Sequence, residues 1–220
     1  ENCTVLVISS AIKKSNPEYK HAKKLNLPIY KRGELLGHIV SLMKNIVVTG
    51  SHGKTTTTSI LSNIFNHAKL DPTIINGGVL NSIGSSAKLG KSDWGLIESD
   101  ESDGSFLRIP FNYSIITNID KEHLDFYKNI NNLKKKFIDF IKKTPPLGKS
   151  FVCLDDKNVK NILPKVKNKN YYTYGLNKNS NFLILNINQH KNYCSFDVKI
   201  KIPGKQKIIK KLKIPLLGLH

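Results

Sequence analysis

The sequence contains little cysteine, almost no arginine and no long apolar run. Its three cysteines, Cys3, Cys153 and Cys194, are far apart and odd in number, so they form neither a metal-binding spacing nor a disulfide framework. Separated free thiols are typical of a reducing compartment, and we expect a cytoplasmic protein. No apolar stretch approaches the roughly 18 residues that a membrane span needs. The sequence therefore predicts no membrane insertion.

The shortage of arginine decides how the charge is interpreted. The formal net charge is +19, yet Arg32 and Arg108 are the only arginines. A basic chain can bind nucleic acid, but nucleic-acid sites favour arginine for its bidentate geometry. Here the lysines are scattered among abundant asparagine and isoleucine, which indicates a general compositional bias. A basic nucleic-acid-binding protein is therefore the less favoured hypothesis, and we expect no nucleic-acid partner.

Hydrophobic periodicity predicts an α/β fold with a mainly parallel sheet flanked by helices. Residues 4–43 alternate as strand, helix, strand and helix, with the second helix at 32–43, as in a partial Rossmann-like unit. A second unit begins at Lys44. Its predicted elements are strands at 45–49, 94–99, 113–117 and 150–154 and helices at 55–68 and 131–143. From Asn181 onward, consecutive strands separated by turn residues predict an antiparallel β segment.

Predicted strands lie close to both ends of the sequence. The first predicted strand begins at residue 4, and no terminating signal follows the last predicted strand, which ends at residue 214. We therefore expect the sequence to continue in both directions.

Residues 47–56, VVTGSHGKTT, indicate a phosphate-binding loop of shortened spacing. The common pattern places four residues between its first glycine and the Gly-Lys pair, whereas only two residues separate Gly50 from Gly53. Such a short pattern is weak by itself, because a lysine-rich chain produces Gly-Lys-Thr by chance. The context decides, since the loop lies between a buried strand and a helix, where backbone N–H groups and the helix dipole converge on an anion.

Three side chains of the loop are candidates for chemistry. Lys54 is placed to neutralise phosphate charge, and the hydroxyl of Thr55 to complete a magnesium shell. His52 lies inside the loop and is a candidate for contact with a phosphate or with the substrate. The opposing interpretation is a structural turn that carries an incidental lysine.

An acidic segment, ESDESDGS at residues 98–105, is unexpected in so basic a chain. Glu98 falls where the apolar strand WGLI ends, and the carboxyl ends of parallel strands are where α/β sheets bind ligands. A carboxylate there can hold magnesium opposite the phosphate loop. A solvated acidic loop, or a helix cap formed by Asp103 or Ser105, would explain some of these residues but not all.

A third polar segment, TNIDKEHLDFY at residues 117–127, follows the apolar strand YSII. It too begins at a strand's carboxyl end, so we expect it to approach the same edge of the sheet. His123 is a candidate metal ligand or substrate contact. The alternative is a polar residue at the start of a helix.

Taken together, these segments resemble the Mur ligases, ATP-dependent enzymes that add amino acids to the peptidoglycan precursor. The resemblance is carried by GSHGKTTTT, LDPTIINGG, ESDESDGSFL and TNIDKEHLDFY. The family's phosphate loop has the same shortened spacing. Upstream, VISSAIKKSNPE is similar to the end of the family's UDP-binding first domain. The resemblance therefore implies a remnant of that domain at residues 1–43 and a central ATP-binding domain, truncated at its carboxyl end, at residues 44–220.

The resemblance also implies roles for individual residues. Lys54 and His123 would act in catalysis, Thr55 and Glu98 would hold one Mg²⁺, and His123 would hold a second Mg²⁺. The phosphates of ATP would be bound by Gly50, Ser51, His52, Gly53, Lys54, Thr55 and Thr56.

Within the family, the segments most resemble members that act on the lactyl carboxylate of UDP-N-acetylmuramate. The implied reaction passes through an acyl phosphate, which the amine of L-alanine attacks. The alternative is the related activity that attaches a recycled tripeptide to the same nucleotide; Ser102, where that group commonly has tyrosine, favours L-alanine. The family binds the amino acid mainly with a third domain that residues 1–220 do not include, so we expect these residues alone to be inactive.

Overall fold

The computed structural model describes residues 3–9, 11–80, 84–167 and 170–216. The strands are β1 Leu6–Ile8, β2 Ile29–Lys31, β3 Lys44–Thr49, β4 Thr73–Leu80, β5 Ser85–Lys88, β6 Trp94–Glu98, β7 Tyr113–Ile116, β8 Lys149–Cys153, β9 Tyr171–Gly175, β10 Phe182–Gln189, β11 Cys194–Ile202 and β12 Lys205–Ile214. The helices are α1 Pro17–Lys24, α2 Arg32–Val40, α3 Lys54–His67, α4 Leu124–Tyr127, α5 Ile130–Lys142 and α6 Lys157–Ile162. Short 3₁₀ helices lie at Ser105–Arg108 and Leu163–Lys165.

The first two strands form the expected small parallel unit. β1 and β2 pair in parallel, and α1 connects them. The start of α1 is well specified, because Pro17 occupies its first turn and the Asn16 side chain accepts the N–H groups of Glu18 and Tyr19. The predicted alternation of strand and helix in this region is confirmed.

Helix α2 ends earlier than its apolar stripe indicated. The sequence predicted a helix to Met43, but the helix ends at Val40 and that boundary was wrong. The N–H and the hydroxyl of Ser41 both donate to the carbonyl of His38, at 3.3 and 2.7 Å. These bonds cap the last turn of α2, and β3 begins at Lys44.

Ten strands form one sheet in the order β12-β11-β10-β9-β8-β7-β3-β6-β4-β5. Neighbours from β10 through β4 pair in parallel, whereas β11, β12 and β5 pair antiparallel to their neighbours. The mainly parallel sheet and the carboxyl-terminal antiparallel segment are therefore confirmed. No local sequence pattern predicted β4, β5, β9 or α6.

The two faces of the sheet pack against different helices. One row of aligned side chains, Ile46, Leu96 and Ile74, contacts Leu61 and Phe65 of α3. The next row along the same strands includes Val47 and Ile97, which belong to the larger core. Because side chains alternate along a strand, a shift of one residue separates the two layers. In the larger core, the 3₁₀ residue Phe106 stacks on α5, with ring centroids 5.3 Å from Phe137 and 5.2 Å from Phe140.

This topology decides where the polar segments lie. β3 sits between β6 and β7, so the chain leaves the sheet at one edge after Thr49, Glu98 and Ile116. All three predicted polar segments begin at these points. Among the helices of the described ranges, none has the length and apolarity that a membrane crossing requires.

Candidate active site

In the loop between β3 and α3, the first glycine is tightly packed against neighbouring residues and the second is not. Gly50 has φ +132°, and a Cβ there would lie 2.2 Å from the Thr117 hydroxyl oxygen. Gly53 has φ +80° and directly precedes α3, and a Cβ there would meet nothing within 4 Å. Both conformations favour glycine, but for different reasons. Gly50 permits close packing beneath the loop, and Gly53 faces open space at the start of a helix.

The segment after β7 braces this loop from below. The N–H of Ser51 donates to the Asn118 carbonyl at 3.1 Å, and the N–H of His52 donates to the Asn118 side chain at 2.8 Å. The carbonyl of His52 accepts the Thr117 hydroxyl at 2.7 Å and the Asn118 amide at 3.0 Å. The hydroxyl of Ser51 accepts the N–H of Asp120 at 2.8 Å. The sequence pattern placed the segment of Thr117 and Asn118 at this edge but did not predict these bonds.

The imidazole of His52 is directed toward two carboxylates of the same segment. Its Nε2 lies 3.3 Å from Asp120 Oδ2, and its Nδ1 lies 3.7 Å from Glu122 Oε1. The pKa of Asp120 is lowered, chiefly by the N–H of Lys121 and then by His52. His52 therefore adds a side-chain contact to the backbone bonds that hold the loop.

Lys54 is fully engaged by oxygen acceptors. Its ammonium donates to the carbonyls of Gly50 and Ser51 at 2.7 and 3.2 Å and to Glu101 Oε2 at 3.1 Å. An ammonium group has three hydrogens, and these acceptors use all three. Only 14% of the Lys54 side chain is exposed. The sequence correctly placed Lys54 at the junction of strand, loop and helix.

Glu98 lies opposite the start of α3, as the sequence predicted. Its Oε1 accepts the hydroxyl of Thr55 at 3.1 Å, and its Oε2 accepts the N–H of Gly77 at 2.9 Å. A Cβ at Gly77 would lie 2.8 Å from Glu98 Oε1, so the glycine permits this close approach. Thr56 is exposed in the first turn of α3. A hydroxyl and a carboxylate are the oxygen ligands that Mg²⁺ prefers.

Glu101 is a functional candidate that the sequence analysis did not single out. Its side chain is completely buried, and this burial raises its pKa, an effect that the nearby charge of Lys54 opposes. The backbone carbonyl of Glu101 accepts the hydroxyl of Tyr127. Burial, together with the Glu101 charge, raises the pKa of Tyr127. The one signal in the sequence was the repeated acidic pattern itself, which does not distinguish a buried carboxylate from a solvated one.

His123 reaches the same edge of the sheet. It immediately precedes α4 with φ +55°, a left-handed conformation that is uncommon for residues other than glycine. Its Nε2 lies 3.8 Å from Glu101 Oε1, and 35% of its side chain is exposed. Ligand atoms of His123, Glu101 and Asp100 lie within 4.8 Å of one another. The carboxylates of Glu101 and Asp100 are thus both near the His123 imidazole.

Two other acidic side chains of the segment, Asp100 and Asp103, bond to the backbone of the loop itself. Asp100 accepts the N–H of Ser102 at 3.0 Å, and Asp103 accepts the N–H of Ser105 at 2.9 Å. These bonds to residues two positions on are Asx turns. They shape the loop that carries Glu101 into the interior.

Comparisons with known proteins identify the family to which the chain is similar. A family model described as the Mur ligase middle domain matches residues 48–220, and one described as the Mur ligase family catalytic domain matches residues 1–44. The UDP-N-acetylmuramate–L-alanine ligase of Pelagibacter ubique is 64% identical over 218 residues, which are 99% of this chain and 47% of that protein. The protein of the same name from Rhodospirillum rubrum is 40% identical, over 98% of this chain and 45% of its own length.

Solved structures show the same fold at lower identity. The UDP-N-acetylmuramate:L-alanyl-γ-D-glutamyl-meso-diaminopimelate ligase from Neisseria meningitides has a TM-score of 0.82 and 23% identity, over 98% of this chain and 69% of that one. The UDP-N-acetylmuramate–alanine ligase from Thermotoga maritima has a TM-score of 0.80 and 22% identity, over 100% of this chain and 48% of that one. The chain spans about half the length of the curated relatives it matches.

Proposed function

The chain belongs to the Mur ligase family, and we propose that it supplies the ATP-binding part of a ligase that joins L-alanine to the lactyl carboxylate of UDP-N-acetylmuramate. In this proposal residues 44–220 belong to the central ATP-binding domain, and residues 1–43 belong to a domain that binds the UDP substrate. The observation that carries it is the segment from Gly50 to Thr56, which joins β3 to the first turn of α3. Within it the Lys54 ammonium bonds the loop carbonyls, and Glu98 accepts the Thr55 hydroxyl.

The loop fits the phosphates of ATP. The first turn of a helix leaves backbone N–H groups without helical partners, and these groups attract anions. The open space beside Gly53 lies at the start of α3, where no Cβ contact within 4 Å would obstruct a ligand. Lys54 lies next to this space, and its ammonium can exchange carbonyl acceptors for phosphate oxygens. Gly50, Ser51, His52 and Thr56 complete the proposed phosphate-binding set.

The oxygen ligands beside the loop fit Mg²⁺. Thr55 and Glu98 are 3.1 Å apart, and the N–H of Gly77 fixes the second oxygen of Glu98. When bound, Mg²⁺ neutralises phosphate charge and polarises the group that is transferred. The protein's own contribution is to hold the Thr55 hydroxyl and the Glu98 carboxylate beside the loop. In the same proposal His123 binds a second divalent cation.

The reaction requires activation of a carboxylate. Transfer of the terminal phosphoryl group of ATP to the lactyl carboxylate forms an acyl phosphate and ADP; attack by the amine of L-alanine then forms the amide and releases phosphate. Lys54 is placed to stabilise the negative charge on the transferring group, and the backbone of the loop holds that group in line with the acceptor.

A second candidate function is ligation of a recycled tripeptide to the same nucleotide. The Neisseria meningitides protein, which is named for a tripeptide substrate, shares this fold, but so does the alanine ligase from Thermotoga maritima. The curated relatives, at identities up to 64%, are named for L-alanine and favour the first function.

Phosphate release by the full-length protein distinguishes the two functions. The assay contains ATP, Mg²⁺ and UDP-N-acetylmuramate with either L-alanine or L-alanyl-γ-D-glutamyl-meso-diaminopimelate, and mass spectrometry identifies the product. We expect turnover with L-alanine to exceed turnover with the tripeptide. Faster turnover with the tripeptide would establish the second function, and no turnover with either acceptor would reject both.

A further inference from the structure

The start of α6 holds the backbone on both sides of Ile119. β8 lies beside β7, so the chain that follows β8 meets the segment that follows β7. Asp156 Oδ1 accepts the N–H of Ile119 at 3.4 Å. Asn158 Nδ2 donates to the Ile119 carbonyl at 2.6 Å. The side chain of Ile119 is completely buried in the larger core. Ile119 is therefore held by its side chain and by both of its backbone polar groups.

The two peptide groups that flank Ile119 also bond to Ser51, in the loop between β3 and α3. The first group joins Asn118 to Ile119, and its carbonyl accepts the N–H of Ser51 at 3.1 Å. The second group joins Ile119 to Asp120, and its N–H donates to the Ser51 hydroxyl at 2.8 Å. Both groups are trans, so the carbonyl and the N–H of each point in opposite directions from one rigid plane. Each group thus bonds α6 on one side and Ser51 on the other.

We propose that Asp156 and Asn158 are positioning residues for the nucleotide site. By orienting the two peptide groups, they set the N–H and the hydroxyl of Ser51, and with them the loop that leads to Lys54. The inference rests on the proposed function and deepens it, because it assigns support of the proposed phosphate-binding loop to α6. The hydrogen bonds described for the two side chains go to Ile119 and to α6 itself, so both residues act through the segment after β7.

The contact made by Asn158 can be removed without removing the cap of α6. Asp156 also accepts the N–H of Val159 at 2.7 Å, so replacing Asp156 would disturb the start of the helix. Asn158 is half-buried, and the bond described for its side chain is the one to Ile119. Asn158→Asp keeps the size of the side chain but removes its N–H donors. A carboxylate in the first turn of a helix suits the helix dipole, so we expect this variant to fold.

Hydrogen exchange tests the contact without nucleotide or substrate. The full-length protein and its Asn158→Asp variant are compared by mass spectrometry of peptides that cover residues 47–56. The N–H groups of Ser51 and His52 both donate to Asn118, so loosening of Asn118 should open them to exchange. We expect these peptides to exchange about threefold to tenfold faster in the variant, the scale of one net hydrogen bond.

ADP affinity measures the consequence for the site. Calorimetric titration with ADP and Mg²⁺ should give a dissociation constant about threefold to tenfold higher in Asn158→Asp than in the wild type. Asn118→Ala removes the side-chain bonds between this segment and His52. Because both changes act through one segment, the double variant should lose less affinity than the product of the two single effects. A purely structural role of Asn158 would give independent effects.

Asn170→Asp is the matched control. Asn170 is also half-buried and also donates its side-chain N–H to a backbone carbonyl, that of Pro145 at 2.5 Å. It directly precedes β9, which is parallel to β8, and therefore lies at the edge of the sheet opposite the loop. We expect Asn170→Asp to leave loop exchange and ADP affinity within about twofold of the wild type.

Two results would overturn the inference. One is a folded Asn158→Asp protein in which either loop exchange or ADP affinity stays within about twofold of the wild type. The other is an Asn170→Asp protein that changes as much as Asn158→Asp, since a general loss of stability would then explain both. If Asn158→Asp does not fold, Asn158→Ala, which favours the helix, is judged by the same criteria. Failure of the proposed function would appear differently, as a protein whose ADP affinity depends on Asn158 but which ligates neither acceptor.

Discussion

The hydroxyl of Thr55 donates to the carboxylate of Glu98 across 3.1 Å, although the two residues belong to different polar segments of the sequence. β3 and β6 make this contact possible, since Val48 pairs with Glu98 in parallel register. The carboxylate therefore lies beside the loop that follows β3. Its second oxygen accepts the N–H of Gly77, so two protein groups position the carboxylate.

Removing the charge of Glu98 should weaken the use of Mg²⁺. We expect Glu98→Gln to raise the Mg²⁺ concentration for half-maximal phosphate release by at least about tenfold. Loss of a residue that only supports a metal ligand already lowers metal affinity by about tenfold or more, and loss of the ligand itself should cost at least as much. The full-length protein is assayed across a Mg²⁺ titration at saturating ATP. Glu18→Gln, at an exposed carboxylate in the first turn of α1, is the control and should behave as the wild type. An unaltered Mg²⁺ requirement in Glu98→Gln would remove Glu98 from the metal site.

Replacing the loop lysine should abolish most turnover without unfolding the protein. Lys54→Ala removes a charge that meets the transferring phosphoryl group, and we expect a loss of about 2.7–4 kcal/mol, the scale for one preorganised donor. Lys54→Arg should not restore activity, because a planar guanidinium cannot reproduce the three contacts of an ammonium that is 14% exposed. Phosphate release is measured beside circular dichroism. A folded Lys54→Ala protein with more than about a tenth of wild-type turnover, a loss below about 1.4 kcal/mol, would contradict the role.

The two loop glycines should respond differently to alanine. Gly53→Ala meets no neighbour within 4 Å, so we expect only the cost of a left-handed backbone, about 1–2 kcal/mol in the free energy of unfolding. Gly50→Ala adds a contact of 2.2 Å with the Thr117 hydroxyl and should cost more while displacing the loop. Urea unfolding and ADP binding measure the two effects. Equal losses in both variants would show that the brace beneath Gly50 does not constrain the loop.

The packing of Phe106 against Phe137 and Phe140 should contribute strongly to the free energy of unfolding. Phe106 is completely buried between Phe137 and Phe140, and we expect Phe106→Ala to lower the free energy of unfolding by about 3–5 kcal/mol. Phe126 is 51% exposed, so Phe126→Ala is a matched control that should cost about 1 kcal/mol or less. Urea unfolding followed by circular dichroism tests both. Similar losses for the two variants would contradict the packing described for Phe106.

The three thiols should react at different rates and with different pH dependence. Cys3 is exposed and Cys194 is buried. Burial raises the pKa of the half-buried Cys153, so less of its reactive thiolate is present at neutral pH and its alkylation should accelerate only at higher pH than for an ordinary thiol. Iodoacetamide labelling between pH 7 and pH 10, read by peptide mass spectrometry, gives the three rates. Labelling of Cys153 as fast as Cys3 at pH 7 would contradict this order.

Local sequence patterns were sufficient to locate the site residues that lie at the ends of strands and helices. The apolar run before Glu98 and the strand–loop–helix pattern around Lys54 located both residues, because strand and helix boundaries are encoded nearby in sequence. Glu101 could not be located in this way. Its burial depends on Phe106 packing into the larger core and on Tyr127 bonding its carbonyl, contacts that no local pattern reveals.

The missed strands have a similar explanation. β4 contains Gly77 and Gly78, which interrupt the alternation of apolar side chains that indicates a strand. Its identity as a strand comes from pairing with β6, where Ile74 aligns with Leu96. The early end of α2 is likewise marked by the single side-chain bond of Ser41 and not by its apolar stripe.

The position of β3 between β6 and β7 has a consequence for biosynthesis. Val48 pairs with both Glu98 and Ile115, so the strand that leads into the phosphate loop gains its neighbours only after a long stretch of later chain has been made. The loop sequence therefore leaves the ribosome well before the brace from Thr117 and Asn118 exists. Pairings of such separation fold slowly and leave apolar edges open in the interval. Nucleotide affinity should accordingly appear late in folding. ATP binding by a nascent chain would indicate that β3 has paired with β6 and β7.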